Sequence, residues 1–381
     1  MKSPNTDHPG NKTEVSDDEL AMLHLALIPG IGPRMQKVLI ETLGSAAAVL
    51  RAAPSKLRQV PGIGPQLLRH IEKGRREINP RQQWEFCLRN QVEILHNESD
   101  SYPRNLREIF DPPGVLFARG TLESQDDLAI AIVGTRHATN YGLAQARQLA
   151  AGLARTGVTI VSGLARGIDA AAHRGALEAG GRTIAVTGSG VLSVYPPEHK
   201  ELAGDICSQG AVVSESAPLA KPTKGVFPRR NRVISGLSLG VVVVEAANRS
   251  GALITASHAV DQNREVFAIP GRVDNRTSRG CHQLLRDGAK LVESPEDVLE
   301  ELGPLVAPTT TREGHEIRRP GELQLNEQEI QVLTVIQSEP TIIDQVVVES
   351  GLPVHRVLST VSVLEARHLI RRVSGNQVAR N

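Results

Sequence analysis

A chain of 381 residues exceeds one ordinary hydrophobic core, so more than one domain is expected. Apolar residues make up 40% and charged residues 22%, yet aromatics are only 2%, so a globular core must be built from Ala, Val, Leu and Ile. The formal charge of +1 hides uneven local balances: ten Lys or Arg against three Glu from Leu27 to Arg81, four Arg and no carboxylate from Leu128 to Ile168, and five bases and no acid from Ser216 to Val244. Acids concentrate later, with five between Glu293 and Glu301 and seven against five bases from Glu322 onward, so a polyanion would meet the first two-thirds of the chain. Cys87, Cys207 and Cys281 form no CxxC pair, which argues against a zinc site or a disulfide framework and fits a reducing cytoplasm. No signal-peptide core and no run of eighteen apolar residues is present, so a soluble cytoplasmic protein with no membrane partner is expected.

In chain order, residues 1–16 read as a disordered polar leader. Residues 17–82 contain a repeat, Leu-Ile-Pro-Gly-Ile-Gly-Pro-Arg at 27–34 and Gln-Val-Pro-Gly-Ile-Gly-Pro-Gln at 59–66, each copy between two helical patterns. This resembles a helix-hairpin-helix pair, in which Gly30, Gly32, Gly62 and Gly64 would let backbone N–H groups reach a DNA phosphate without reading sequence; a helical scaffold with no ligand is the alternative reading. Residues 83–302 alternate short β-branched runs with Ala-rich helices, with strands at 129–133, 158–161, 183–186, 211–213, 241–244 and 266–269. That alternation predicts an α/β domain with a mostly parallel, Rossmann-like sheet. Residues 303–321 read as a linker, and residues 322–381 give helices at 327–336, 343–350 and 354–368 followed by a hairpin turning at Gly375, the order of a winged helix.

Ligands of open parallel sheets sit at the carboxyl ends of the strands. The first such loop carries Gly134 for close backbone approach, the Thr135 hydroxyl and Arg136 for a phosphate fork. The second, Ser162-Gly163-Leu164-Ala165-Arg166-Gly167-Ile168-Asp169, brings another arginine, and Asp169 with His173 one turn later reads as a buried hydrogen bond anchoring the loop rather than a catalytic pair, the alternative for this spacing. Gly188-Ser189-Gly190 is a bare GxG with no further glycine or acid to complete a dinucleotide fingerprint. The richest stretch is Phe227-Pro228-Arg229-Arg230-Asn231-Arg232: phosphate clamps, a base-edge reader and a stacking face, with no carboxylate nearby in sequence to neutralise them. Lys221 and Lys224 precede it as auxiliary basic residues. Ser250, Gly251 and Thr255 open the next helix, where they can take an anion, and Glu245 ends the preceding strand, where it could orient Arg230 or Arg232.

Val-Gly-Thr-Arg at 133, Ser-Gly-Leu-Ala-Arg-Gly-Ile-Asp at 162, Tyr-Pro at 195, Phe-Pro-Arg-Arg-Asn-Arg at 227, Ser-Gly-Ala-Leu-Ile-Thr at 250 and Pro-Gly-Arg at 270 together resemble the DNA-processing protein A (DprA/Smf) family in order and spacing. The resemblance covers nearly the whole chain and implies a homodimeric protein that binds and protects incoming single-stranded DNA during natural transformation and loads a RecA-type recombinase. It also implies that Arg136, Arg166, Arg230, Asn231 and Arg232 line a positive pocket shaped by Gly134, Ser162, Gly163, Ser250, Gly251 and Thr255. His199 and His282 stand where the family often has Asn. No cofactor is implied. A rival reading is a nucleotide-hydrolysing relative of the phosphoribohydrolases, but Arg249-Ser250-Gly251-Ala252 stands in place of their Pro-Gly-Gly-x-Gly-Thr loop. A P-loop ATPase is excluded because no Gly-Lys-Ser or Gly-Lys-Thr follows a strand. A winged-helix regulator would use His355, Arg356, Arg367, Arg371 and Arg372, in a segment whose acidity weakens that reading.

Overall fold

The computed structural model describes residues 15–223, 225–303, 308–310, 316–374 and 376–381. Most of the expected leader, together with Lys224 and the expected turn residue Gly375, therefore lies outside the described residues.

The first helix, Asp17–Leu27, is started by a capping box between Ser16 and Glu19. The two repeats form reciprocal hairpins before the helices Pro33–Leu43 and Pro65–Glu77. Gly30 and Gly62 adopt φ of +88° and +85°, a conformation a side chain strains to reach, and proline opens each following helix. Each hairpin packs on the other's helix: a Cβ at Gly30 would meet Leu67 and His70, and one at Gly62 would lie 2.8 Å from Met35 Cε. Leu25, Leu39, Val49, Leu57 and Ile71 fill this small core. Leu23 instead joins Phe117 and Val92 beneath the neighbouring sheet, and the helix Pro80–Arg89 runs across the boundary expected between residues 82 and 83.

The nine strands of the main sheet are β1 (Glu93–His96), β2 (Val115–Gly120), β3 (Ala129–Val133), β4 (Thr159–Ser162), β5 (Thr183–Val186), β6 (Ala211–Ser214), β7 (Gly240–Val243), β8 (Glu265–Ala268) and β9 (Lys290–Leu291). Their order is β1-β2-β6-β5-β4-β3-β7-β8-β9, with β3 to β9 parallel and β1 and β2 antiparallel at one edge. The six strands expected from sequence recur within a residue or so, whereas β1, β2 and β9 are additions at the edges. Every residue of β3 to β7 is buried, because helices cover both faces. Ala146, Leu149 and Leu153 press on Ile130, Ile132 and Val242 from one side, and Val233, Ile234 and Ala256 press on Ala131, Val133 and Val241 from the other. Alanine and glycine let these layers approach closely: a Cβ at Gly175 would lie 2.3 Å from the Arg147 carbonyl. From β3 the chain winds outward through β4, β5 and β6 and returns to β7 on the other side of β3, so the loops after these strands gather around one switch point.

Beyond the sheet, the described part of the expected linker is a short ribbon, Thr309–Thr310 with Glu316–Ile317, anchored by the Thr309 hydroxyl donating to the Ser124 carbonyl at 2.8 Å. Helices Glu327–Val335, Ile343–Ser350 and Val354–Ala366 then pack on a three-stranded sheet around Val332, Val346, Val357 and Leu364, the expected winged helix.

At the amino-terminal end of the sheet the Arg182 guanidinium, 2% exposed, is held by Asp126, Glu123 and the Thr121 carbonyl at 2.8 Å each. Arg182→Ala strands the buried Asp126 carboxylate, so thermal unfolding should report a loss of about 3–5 kcal/mol.

Candidate nucleic-acid interface

The loop after β3 depends on Gly134, where a Cβ would lie 2.5 Å from Ile168 Cγ1 and 2.9 Å from the Glu245 carbonyl. Thr135 N–H donates to that same carbonyl at 2.7 Å, which brings together the loops after β3 and β7. Arg136 is carried outward, exposed, with its guanidinium 5.3 Å from the Phe227 ring centroid. After β4, Ser162 Oγ donates to the Ile132 carbonyl at 2.6 Å and is fully buried, so it builds the loop from below. Gly167, at φ +74°, packs where a Cβ would lie 2.4 Å from the Thr135 carbonyl, and this turns Arg166 into solvent, where it pairs with Glu198.

Phe227 to Arg232 form the first turns of the helix Val226–Gly236, and helical geometry divides their roles. Phe227 and Arg230, three residues apart, lie toward the strand ends. Arg230 is 7% exposed and donates through Nη1 to the Gly163 carbonyl at 2.6 Å and to the Val186 carbonyl. Burial, assisted by Arg136, draws its pKa down to about 10, against the opposing pull of Asp169. Gly163 is required here, because a Cβ would sit 2.5 Å from Arg230 Nη1 and 2.6 Å from the Asp169 carboxylate. Asn231 donates to the Gly251 carbonyl at 3.1 Å and so ties in the loop after β7. Arg232 turns away, bonded to Glu215 and to the Asp111 carbonyl at 2.6 Å, with the Asp111 carboxylate at 3.5 Å. Arg229 is exposed, 3.9 Å from Glu215, and its Nη2 lies 3.3 Å from where a Cβ of Gly32 would stand.

Three expectations change. The acids missing from the 216–244 window are supplied by the fold, as Glu215 at its border and Asp111 from a distant loop. Glu245 does not orient Arg230 or Arg232: its carboxylate accepts from Thr139 N–H at 2.9 Å and Thr139 Oγ1 at 2.6 Å, at the start of the helix Asn140–Arg155. Asp169 and His173 are not a pair: Asp169 accepts from Ala165 N–H at 3.3 Å, while His173 Nδ1 lies 2.7 Å from Thr183 Oγ1, which spends its own proton on the Ile160 carbonyl. His173 Nδ1 is therefore the donor. Burial, with His199 and two arginines nearby, pulls its pKa to about 3.

Ser250 caps the helix Gly251–Asp261 by accepting from Ala252 N–H at 3.3 Å, and the buried Thr255 hydroxyl faces the Gly251 carbonyl at 3.5 Å, so both serve the local backbone. Gly190 packs under the 217–218 carbonyls, where a Cβ would lie 2.1 Å away, so the GxG is a packing device. Lys221 is exposed. In the hairpins Gly32 and Gly64 precede helices without a side-chain cap; Gly64 faces open space and Gly32 faces Arg229. The residue that site-by-site reasoning passed over is Tyr195, 40% exposed, with its ring centroid 5.9 Å from Phe227. Its Tyr-Pro dipeptide was the available signal.

The family model for DNA recombination-mediator protein A matches residues 93–303, more than half of the chain, with a SAM-like helix-hairpin-helix tandem at 22–71 and a DprA winged-helix domain at 317–376. The chain belongs to the DprA/Smf family. Among DprA/Smf relatives, Protein Smf of Synechocystis sp. is 35% identical over 93% of this chain and 96% of its own length. The DNA processing protein DprA of Bacillus subtilis is 47% identical over 55% of this chain and 71% of its own. The crystal structure of DprA from Streptococcus pneumoniae superposes with a TM-score of 0.64 at 35% identity, covering 76% of this chain and 99% of that one. The Helicobacter pylori DprA structure, described for its single-stranded DNA binding mode, gives a TM-score of 0.50 at 30% identity over 56% of this chain and 98% of that one. No described helix is long and apolar enough to cross a membrane.

Two outcomes follow for the buried groups. Arg230→Ala leaves two buried carbonyls without a charged donor, so denaturation should show a loss of at least about 2 kcal/mol alongside any loss of ligand. The native state refuses a proton at His173 that the unfolded chain accepts, so His173 removes stability as pH falls from about 6.5 toward 3. His173→Gln should relieve about 1.4 kcal/mol per pH unit of that decline, read as the difference between variant and wild-type unfolding curves.

Proposed function

We propose that the carboxyl ends of β3, β4, β5 and β7 bind the phosphates and bases of single-stranded DNA. The observation that carries this reading is the exposed Arg136 guanidinium stacked over Phe227 beside Tyr195, with the positive Arg230 beneath. Phosphates take Arg136 and Arg166, and a base takes the aromatic face, a combination suited to strands whose bases are unpaired. Arg230, Asn231 and Arg232 hold the helix Val226–Gly236 against its neighbours, and Gly134, Thr135, Ser162, Gly163, Ser250, Gly251 and Thr255 shape the backbone around the strand. Lys221, Arg229 and the hairpin turns around Gly32 and Gly64 extend the basic surface outward.

Family membership supports the finer reading: a cytoplasmic homodimer that protects incoming single-stranded DNA during natural transformation and helps load a RecA-type recombinase. Such loading would run on binding energy, with the recombinase supplying its own nucleotide turnover.

A titration with single-stranded and duplex oligonucleotides at several salt concentrations tests the site. Single strands should bind more tightly, and log K should fall linearly with log salt. Arg136→Ala should weaken binding by about 1–3 kcal/mol with an unchanged melting temperature, because that side chain is exposed and its loss removes a charge-assisted phosphate contact. Equal duplex affinity, or affinity indifferent to salt, would sink the proposal.

A further inference from the structure

We infer that the turn Tyr195–Glu198 completes one nucleotide seat of this site: a base stacks on Tyr195, and the adjoining phosphate takes the Arg166 guanidinium from Glu198. The inference rests on the single-strand reading above and adds two residues to it.

Aromatic side chains are scarce in this chain, and most of the large ones serve the core or a local bond. Phe117 and Phe267 are fully buried, Tyr102 is buried with its hydroxyl bonded to the Pro113 carbonyl, and Tyr141 donates to the Pro270 carbonyl at 2.8 Å. Tyr195 differs. Tyr141 at 46% and Phe110 at 71% are also exposed, but Tyr195, at 40%, is the tyrosine whose hydroxyl has no protein partner among the described residues and whose ring is braced by Phe227 at 5.9 Å and 47°. A half-exposed ring braced by a second aromatic, and close enough to Arg166 to interact with its charge, is a stacking surface.

Glu198 stands three residues on, in the same turn, and binds the Nε of Arg166. Both partners face solvent, with side-chain exposures of 57% and 47%, so this ion pair adds little to folding. Its geometry matters more. A carboxylate oxygen on a guanidinium occupies the position a phosphate oxygen would take, so the free protein keeps Arg166 ordered by an internal anion. The mutual pairing holds the Arg166 pKa above, and the Glu198 pKa below, their ordinary values. Other charges around the turn are His199 and Lys200 beside Glu198 in the chain, and Arg174, Glu178, Glu201 and Asp205, which line a groove together with Glu198. Those acids turn a phosphate away from that side, toward Arg136 and Phe227. Incoming DNA therefore exchanges one anion for another at Arg166, and Glu198 opposes the exchange.

Binding of fluorescent single-stranded oligonucleotides to the full chain tests this. Tyr195→Ala should weaken binding at least about fivefold, Tyr195→Phe should retain wild-type affinity, and the alanine effect should vanish on an abasic strand of equal length. Glu198→Gln should bind at least about twofold more tightly, and that gain should disappear in an Arg166→Ala background. The seat is overturned if Tyr195→Ala binds as wild type, if it is equally impaired on the abasic strand, or if the Glu198→Gln gain survives without Arg166, which would mark general repulsion. Wild-type protein and Arg136→Ala in the same plates separate the levels. A wild type that ignores single strands defeats the parent reading, whereas an intact Arg136 effect beside any of the three adverse results defeats the seat alone.

Discussion

The buried guanidinium of Arg230 is the contact on which the arrangement of the interface depends. It belongs to the helix that precedes β7, yet it donates to carbonyls at the ends of β4 and β5, two strands on the far side of the switch point. A single charged group thereby fixes the helix Val226–Gly236 across the open end of the sheet. Its cost is desolvation, seen in the lowered pKa, and the compensation is carbonyl oxygens together with the field of Asp169. With Arg230 drawn inward, helical spacing leaves Phe227 at the rim, where Arg136 and Tyr195 meet it. The glycines at 134 and 163 belong to the same constraint, because side chains there would occupy the space that Arg230, Ile168 and the β7 loop require.

Carboxylates set which arginines are available. Arg232 is bound by Glu215 and Asp111, Arg166 is engaged by Glu198, and Arg136 carries no ion pair among the described residues. Charge density along the chain is thus a poor guide to free charge. The segment from Ser216 to Val244 contains only bases, but Arg232 has reached across to acids outside it. What remains exposed on that helix is Arg229, directed toward the first hairpin. The hairpin domain is also no loose appendage: its first helix sends Leu25 into its own core and Leu23 into the core shared with β2. The basic surface around the hairpins is therefore held in a defined place beside the strand-end loops.

Much of this protein was written locally. The β-branched runs of β3 to β8, buried on both faces, announce a parallel sheet by composition alone, and Pro-Gly-Ile-Gly-Pro announces its hairpin because only glycine accepts a φ near +85° at low cost. Arg136 was legible for the same reason, because its place follows from the end of a strand, whereas the helix Val226–Gly236 that carries Phe227 was not read from the sequence. The edge strands β1 and β2 were not, because a short strand earns its place by pairing with a neighbour that the sequence does not name.

The sequence by itself determined the three-part organisation, the parallel sheet and the loops that carry basic and aromatic side chains, since each is a matter of periodicity, turn chemistry and composition within a short window. Only the tertiary structure decided which of those side chains face outward. Glu245 went to a helix start instead of an arginine, His173 to Thr183 instead of Asp169, and Arg232 to Glu215 and Asp111. Tyr195, unremarkable as a residue, became the neighbour of Phe227. The physical reason is common to all of them. A buried charge or polar group takes whichever partner the packed chain brings within bonding distance, and that distance is fixed by contacts far apart in sequence.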